Sequence, residues 1–313
     1  MGGKRNSFPA SLILSGRNSP PDLLWGRSME SLSIAPAVWL MLPATLPFIL
    51  VFLFLLLTRR AFATSPEKNI ALSDLITLGG LFLSFGLFDF PAIRHLLNPN
   101  RPMDWIPLLT LGVFLARIFV PARFSLLAEF GAVSGCLFLL MLPIAKQEPA
   151  KDGAITILLI LALWIVIRGL YPVEIRKGLK GLYLTPLFFS ATALAIVSPI
   201  SGSLLLGQLA GGLAAVFTAL GAAKLMGARF SAIEPGWVLG ALLVIARQYA
   251  EFSLQTIGPL AFGLLLGGMG GRLAQRIGWP SWKVGILVSA LSLAACAYGV
   301  VETINNIGSQ GGY

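Results

Sequence analysis

The stretch Ser203 to Gly227, SLLLGQLAGGLAAVFTALGAAKLMG, is apolar but for Ser203, Gln208, Thr218 and Lys224. As a helix rising 1.5 Å per residue, about 20 such residues cover the roughly 30 Å of a bilayer's hydrocarbon core. Gly207, Gly211, Ala215 and Ala222 fall four or seven residues apart and share one helical face. A face of small side chains lets another backbone approach closely, which is how helices associate inside lipid, so Gly207, Gly211 and Ala215 are assigned to helix packing. Gln208 lies beside this stripe, and its amide needs a neighbouring helix or water at that depth.

The rest of the chain has the same character. Of its 313 residues 56% are hydrophobic and 12% charged, about half the charge of an ordinary soluble domain. Sharing that length among crossings of about 20 residues gives about ten spans and no sizeable domain outside the membrane. The net charge of +10 comes from Lys and Arg scattered between apolar runs, which argues for topology signals and against a nucleic-acid partner. Cys136 and Cys296 lie within apolar runs, and His95 is the single histidine. A disulfide or a histidine-based metal centre is therefore not expected, and no cofactor motif is present.

Residues 1–35, rich in Ser, Pro, Gly and Arg, are expected to be a disordered leader. SLIL is too short for the apolar core of a signal peptide, and Met29 offers an alternative start. Apolar segments then follow at 36–57, 70–90, 104–120, 124–144, 153–171, 182–200, 203–226, 235–254, 257–271 and 284–302. The glycine-dense segment 257–271 reads as either a tilted crossing or a re-entrant piece. The expected fold is all-α: a polytopic integral membrane helical bundle forming one domain over 36–302, with 303–313 as a flexible tail.

Orientation follows from the loops, because Lys and Arg stay on the cytoplasmic side. With the first span entering from outside, one set of loops holds Arg59, Arg60, Lys68, Arg123, Arg176, Lys177, Lys180, Lys224, Arg229, Arg272, Arg276 and Lys283. The opposite set holds Arg94, Arg101, Lys146 and Lys151. This places the protein in the cytoplasmic (inner) membrane with both termini outside the cytoplasm. Lys4, Arg5, Arg17 and Arg27 would oppose that orientation, a conflict that a start at Met29 removes.

An internal repeat is a further expectation. Gly79-Gly80-Leu81 precedes Gly211-Gly212-Leu213 by 132 residues, as Trp105 precedes Trp237 and Gly153 precedes Gly285. Ala116-Arg117 precedes Ala246-Arg247 by 130. Five spans followed by five would form a 5+5 inverted repeat. Pro43, Pro47, Pro186 and Pro199 would kink the first helix of each half.

Polar groups at membrane depth are the places to look for function. Arg247, Glu251 and Gln255 recur every four residues, so a single helix would align them, with Gln208 at comparable depth, as a substrate-binding group. A second set, Asp74, Arg117, Glu129 and Arg168, falls near the opposite surface and reads as an intramembrane ion pair or gate. Each set also has a plain structural reading, in which arginines pair with glutamates and snorkel toward headgroups. Asp89, Arg94, His95, Arg101 and Asp104 cluster in one loop, but no nucleophile, metal set or phosphate cradle accompanies them. GxSxG, HExxH, P-loop and DxxD motifs are missing, and no catalytic residue is assigned.

These readings converge on a secondary transporter or permease for a small solute or lipid-like molecule. The alternatives are a non-catalytic membrane subunit or scaffold, and a membrane enzyme acting on lipid. The expected partners are the bilayer and, in the scaffold reading, another membrane protein docked on the glycine-rich helices.

Overall fold

The computed structural model describes residues 184–226, 233–250 and 252–310, with shorter pieces at 48–54, 57, 75–76, 79–80, 106, 108, 111–112, 115, 131, 134–135 and 138. The leader 1–35 and the expected span 153–171 lie outside the described residues, as does most of the expected spans 70–90, 104–120 and 124–144 and part of 36–57.

Every described element is helical, and no strand occurs among the described residues. Five helices occupy the C-terminal part: α1 (Leu184–Ile200), α2 (Leu204–Leu225), α3 (Ile233–Gln248), α4 (Leu254–Ile277) and α5 (Ser281–Gln310). Each overlaps one of the five apolar segments read from the sequence in this half, with α3 ending short of 254 and α5 continuing through 303–310, which was expected to be part of a flexible tail. Two are both long and apolar enough to cross a membrane, α2 over Leu204–Ala223 and α5 over Trp282–Asn306. α1 and α3 are shorter apolar helices of 17 and 16 residues.

α1 turns into α2 through three residues. Gly202 adopts φ 88°, a left-handed value that a side chain disfavours, and Ser203 N donates to Ser198 O at 2.8 Å to close the turn. Pro186 lies in the first turn of α1, where its missing N–H has no intrahelical carbonyl to lose, and Pro199 lies in the last turn. The Pro199 ring instead forms a wall for α2: a Cβ built on Gly207 would stand 2.6 Å from its Cδ and Cγ. The close approach expected of the small-residue stripe is thus concentrated at Gly207. Gly211 and Ala215 are half-buried, and the nearest atom to a Cβ on Gly211 is Ala195 Cβ at 3.9 Å.

α3 is the most enclosed helix, with every residue from Gly236 to Ala246 buried. A helix apolar around its whole circumference has no face for water and belongs inside a bundle. α2 contributes Leu206, Leu213, Val216, Phe217 and Leu220 to the same core, and Val51 and Ile106 from the N-terminal half join it. Phe48 stacks on Phe52 at the edge of this core, rings 5.9 Å apart.

The boundary between α3 and α4 corrects one expectation. The segment 235–254 is not a single helix: α3 ends at Gln248, and Phe252 N reaches back to Ala246 O at 3.2 Å. Ser253 then caps α4 in extended conformation, its hydroxyl accepting from Thr256 N at 3.2 Å. Arg247 and Gln255 therefore sit on different helices, and the four-residue alignment through Glu251 is lost. Glu251 itself lies outside the described residues. In turn, 257–271 lies inside one continuous helix of 24 residues, about 36 Å long.

Candidate functional site

Connections of a few residues join antiparallel neighbours, so the start of α2, the end of α3 and the start of α4 share one end of the bundle. That end carries Gln208, Arg247 and Gln255. Gln208 and Arg247 are half-buried and Gln255 is exposed. Arg247 donates from Nη1 to Phe252 O at 2.5 Å, folding over the turn that its own helix leads into. A guanidinium there satisfies a carbonyl beyond the helix end and meets the negative end of the helix dipole. Phe252 is buried, and Tyr249 and Ala250 pack against the core beneath it. Asp74, Arg117, Glu129 and Arg168 lie outside the described residues, as does the loop around His95.

A second polar feature was not anticipated. On α5, Ser289, Ser292, Cys296, Gly299 and Thr303 alternate in steps of three and four, which places five small residues along one seam. The Ser289 hydroxyl meets Thr185 Oγ1 of α1. Ser292 Oγ donates to Pro186 O at 3.4 Å, and Ser190 of α1 donates to Leu260 O of α4 at 2.8 Å, with Cys296 Sγ 3.8 Å away. Further along, Thr303 Oγ1 lies 3.1 Å from Thr256 Oγ1 of α4 and donates to Gly299 O at 2.9 Å.

Ser190 and Ser292 are 0% exposed. α1, α4 and α5 close on them through Gly263, where an added Cβ would overlap Ser190 Oγ and stand 2.9 Å from Ser292 Oγ. Each hydroxyl here has a partner, so the seam joins helices by hydrogen bonds and close packing. Cys296 is a free, buried thiol and acts as a small apolar side chain.

Two buried polar atoms are left over among the described residues, Ser134 Oγ and Trp237 Nε1. Trp237, in the second turn of α3, is 1% exposed, and its Nε1 has no hydrogen-bond partner among the described residues. Buried indole N–H groups ordinarily find an acceptor, and leaving one unmade costs about 1–3 kcal/mol. Trp237 and Arg247 lie ten residues apart on α3, about 15 Å along its axis.

The chain matches no protein-family model and no curated protein.

Proposed function

We propose that the protein is a multi-pass membrane protein of about ten spans that carries a small solute or lipid-like molecule across the cytoplasmic membrane. The observation that carries the reading is the Trp237 indole N–H, a donor buried in the most enclosed helix with no acceptor among the described residues. Such a donor suits a passing molecule that brings its own acceptor, a carbonyl, carboxylate, ether or phosphate oxygen. Gln208 and Arg247, half-buried at one end of the same bundle, would form the polar entrance to that path.

The close approaches at Gly207, Gly263 and Gly299 also favour a carrier over a scaffold. Each of these glycines already meets another helix of this chain, so none of the three is an open face waiting for a partner. A carrier of this layout would use the 5+5 inverted repeat to open alternately to either side. In that arrangement Arg117 and Arg247 are the polar groups nearest opposite surfaces.

The test is thiol accessibility at single cysteines replacing Gln208 and Arg247, in a background without Cys136 and Cys296. A membrane-impermeant reagent applied to intact cells is expected to label both. Complete protection at both positions would refute a water-filled path and leave the scaffold reading in its place.

A further inference from the structure

The end of the bundle opposite Arg247 gathers an unusual set of side chains at the α4–α5 connection. α4 stops at Ile277, Gly278 takes φ 68° as its left-handed cap, and Pro280 leads into α5. Arg276, Trp279, Trp282 and Lys283 are all exposed, the two indoles at 51% and 55%. Tryptophan exposed to this degree is poorly placed in water, but its amphipathic ring fits the boundary between lipid headgroups and hydrocarbon. Lys283 Nζ lies 5.6 Å from the Trp282 ring centroid, so the cation is held at the level of the indole.

The spacing of charges along α5 fixes what that level is. Between Lys283 and Glu302 the helix carries no charged residue, a rise of about 28 Å that matches the hydrocarbon core of a bilayer. Its outward face is apolar over the same span, with Ile286, Leu287, Leu291, Leu293 and Val301 exposed. From Phe252 to Val301 the chain contains no Asp or Glu. The two cations at this turn therefore have no carboxylate near them on their own hairpin, whose one acidic residue within its described helices, Glu302, lies at the far end of α5.

We propose that the α4–α5 turn is a binding site for an anionic phospholipid headgroup. Arg276 and Lys283 would hold the phosphodiester while Trp279 and Trp282 would seat the glycerol and upper acyl region. The basic-loop rule puts this end on the cytoplasmic side, where each cation near an anionic surface contributes about five-fold in local lipid preference. The site rests on the membrane-spanning reading, and its test separates the two.

The full-length protein would be reconstituted in phosphatidylcholine vesicles doped with brominated phosphatidylcholine or, separately, with brominated phosphatidylglycerol. The readout is the tryptophan fluorescence lost in W279F/W282F, which isolates these two indoles from the other five. The expected result is quenching by both lipids, several-fold stronger with phosphatidylglycerol, and equal for the two lipids in R276Q/K283Q. Equal quenching by both lipids in the unmodified protein would overturn the headgroup site while keeping the turn at the membrane. Quenching by neither would overturn the site together with the membrane reading. R276Q and K283Q change exposed side chains, so loss of the fold does not cloud the comparison.

Discussion

Replacing Gly263 with alanine is the most exacting test of how α1, α4 and α5 are held together. The new Cβ would overlap the Ser190 hydroxyl, stand 2.9 Å from Ser292 Oγ and 3.3 Å from Pro186 O. Overpacking of that kind costs about 1–3 kcal/mol. Displacing Ser190 also breaks its 2.8 Å hydrogen bond to Leu260 O, a further loss of about 1 kcal/mol. Alanine recovers about 1 kcal/mol through its higher helix propensity. The net expectation is a destabilisation of about 2 kcal/mol. Equilibrium unfolding of the purified protein in mild detergent, driven by a denaturing detergent and followed by circular dichroism, would measure it. Repeating the substitution in an S190A background removes the obstructing oxygen, and most of the penalty should vanish. A penalty below about 0.5 kcal/mol, or one that is the same in both backgrounds, would refute the three-helix packing described here.

The other glycines should rank by what their Cβ would meet. Gly207→Ala should cost about 1–2 kcal/mol in the same assay because the Pro199 ring cannot rotate away, whereas Gly211→Ala, whose Cβ would make only an ordinary contact with Ala195 Cβ at 3.9 Å, should be neutral or gain up to about 1 kcal/mol. A double-mutant cycle of Thr256→Val and Thr303→Val should return a coupling of about 0.6 kcal/mol, as typical of interhelical hydroxyl pairs in membranes; zero coupling would mean that the pair does not form. Arg247→Met should destabilise by about 1–2 kcal/mol through loss of its carbonyl partner and helix-end charge. Replacing Trp237 with benzothienylalanine, which keeps the ring shape but has no N–H, should leave stability unchanged or raise it, since no hydrogen bond is lost. A drop of 1 kcal/mol or more there would reveal an acceptor and remove the basis for a solute site.

The helical character and the five C-terminal segments were legible because long apolar runs leave few other options for the backbone. The small face around Gly207 was legible from spacing, but its partner was not: that α1 presents Pro199 to it depends on how the helices cross. The break between α3 and α4 falls in the polar stretch 247–256, RQYAEFSLQT, and the sign of it was Ser253, a capping residue placed just before a new apolar run. Thinking of Arg247, Glu251 and Gln255 as one face followed from carrying the helical period across that cap. The seam on α5 was readable too, since Ser289, Ser292, Cys296, Gly299 and Thr303 keep a coiled-coil spacing of small residues. Counting hydropathy alone treats Ser, Thr and Gly as weak points of a span, whereas packing uses them as its interface. Trp237 illustrates what sequence does not carry, because a tryptophan at a segment's start reads as an interfacial anchor until its burial is known.

The central claim, that the C-terminal helices cross a membrane in alternation, is tested most directly by single cysteines in the turns between them. Ser201 and Ala250 occupy the α1–α2 and α3–α4 turns, and Met226 and Trp279 occupy the turns that follow α2 and α4. In intact cells an impermeant thiol reagent should label cysteines at 201 and 250 and reach those at 226 and 279 only after the membrane is permeabilised. Labelling of all four from one side would contradict the account.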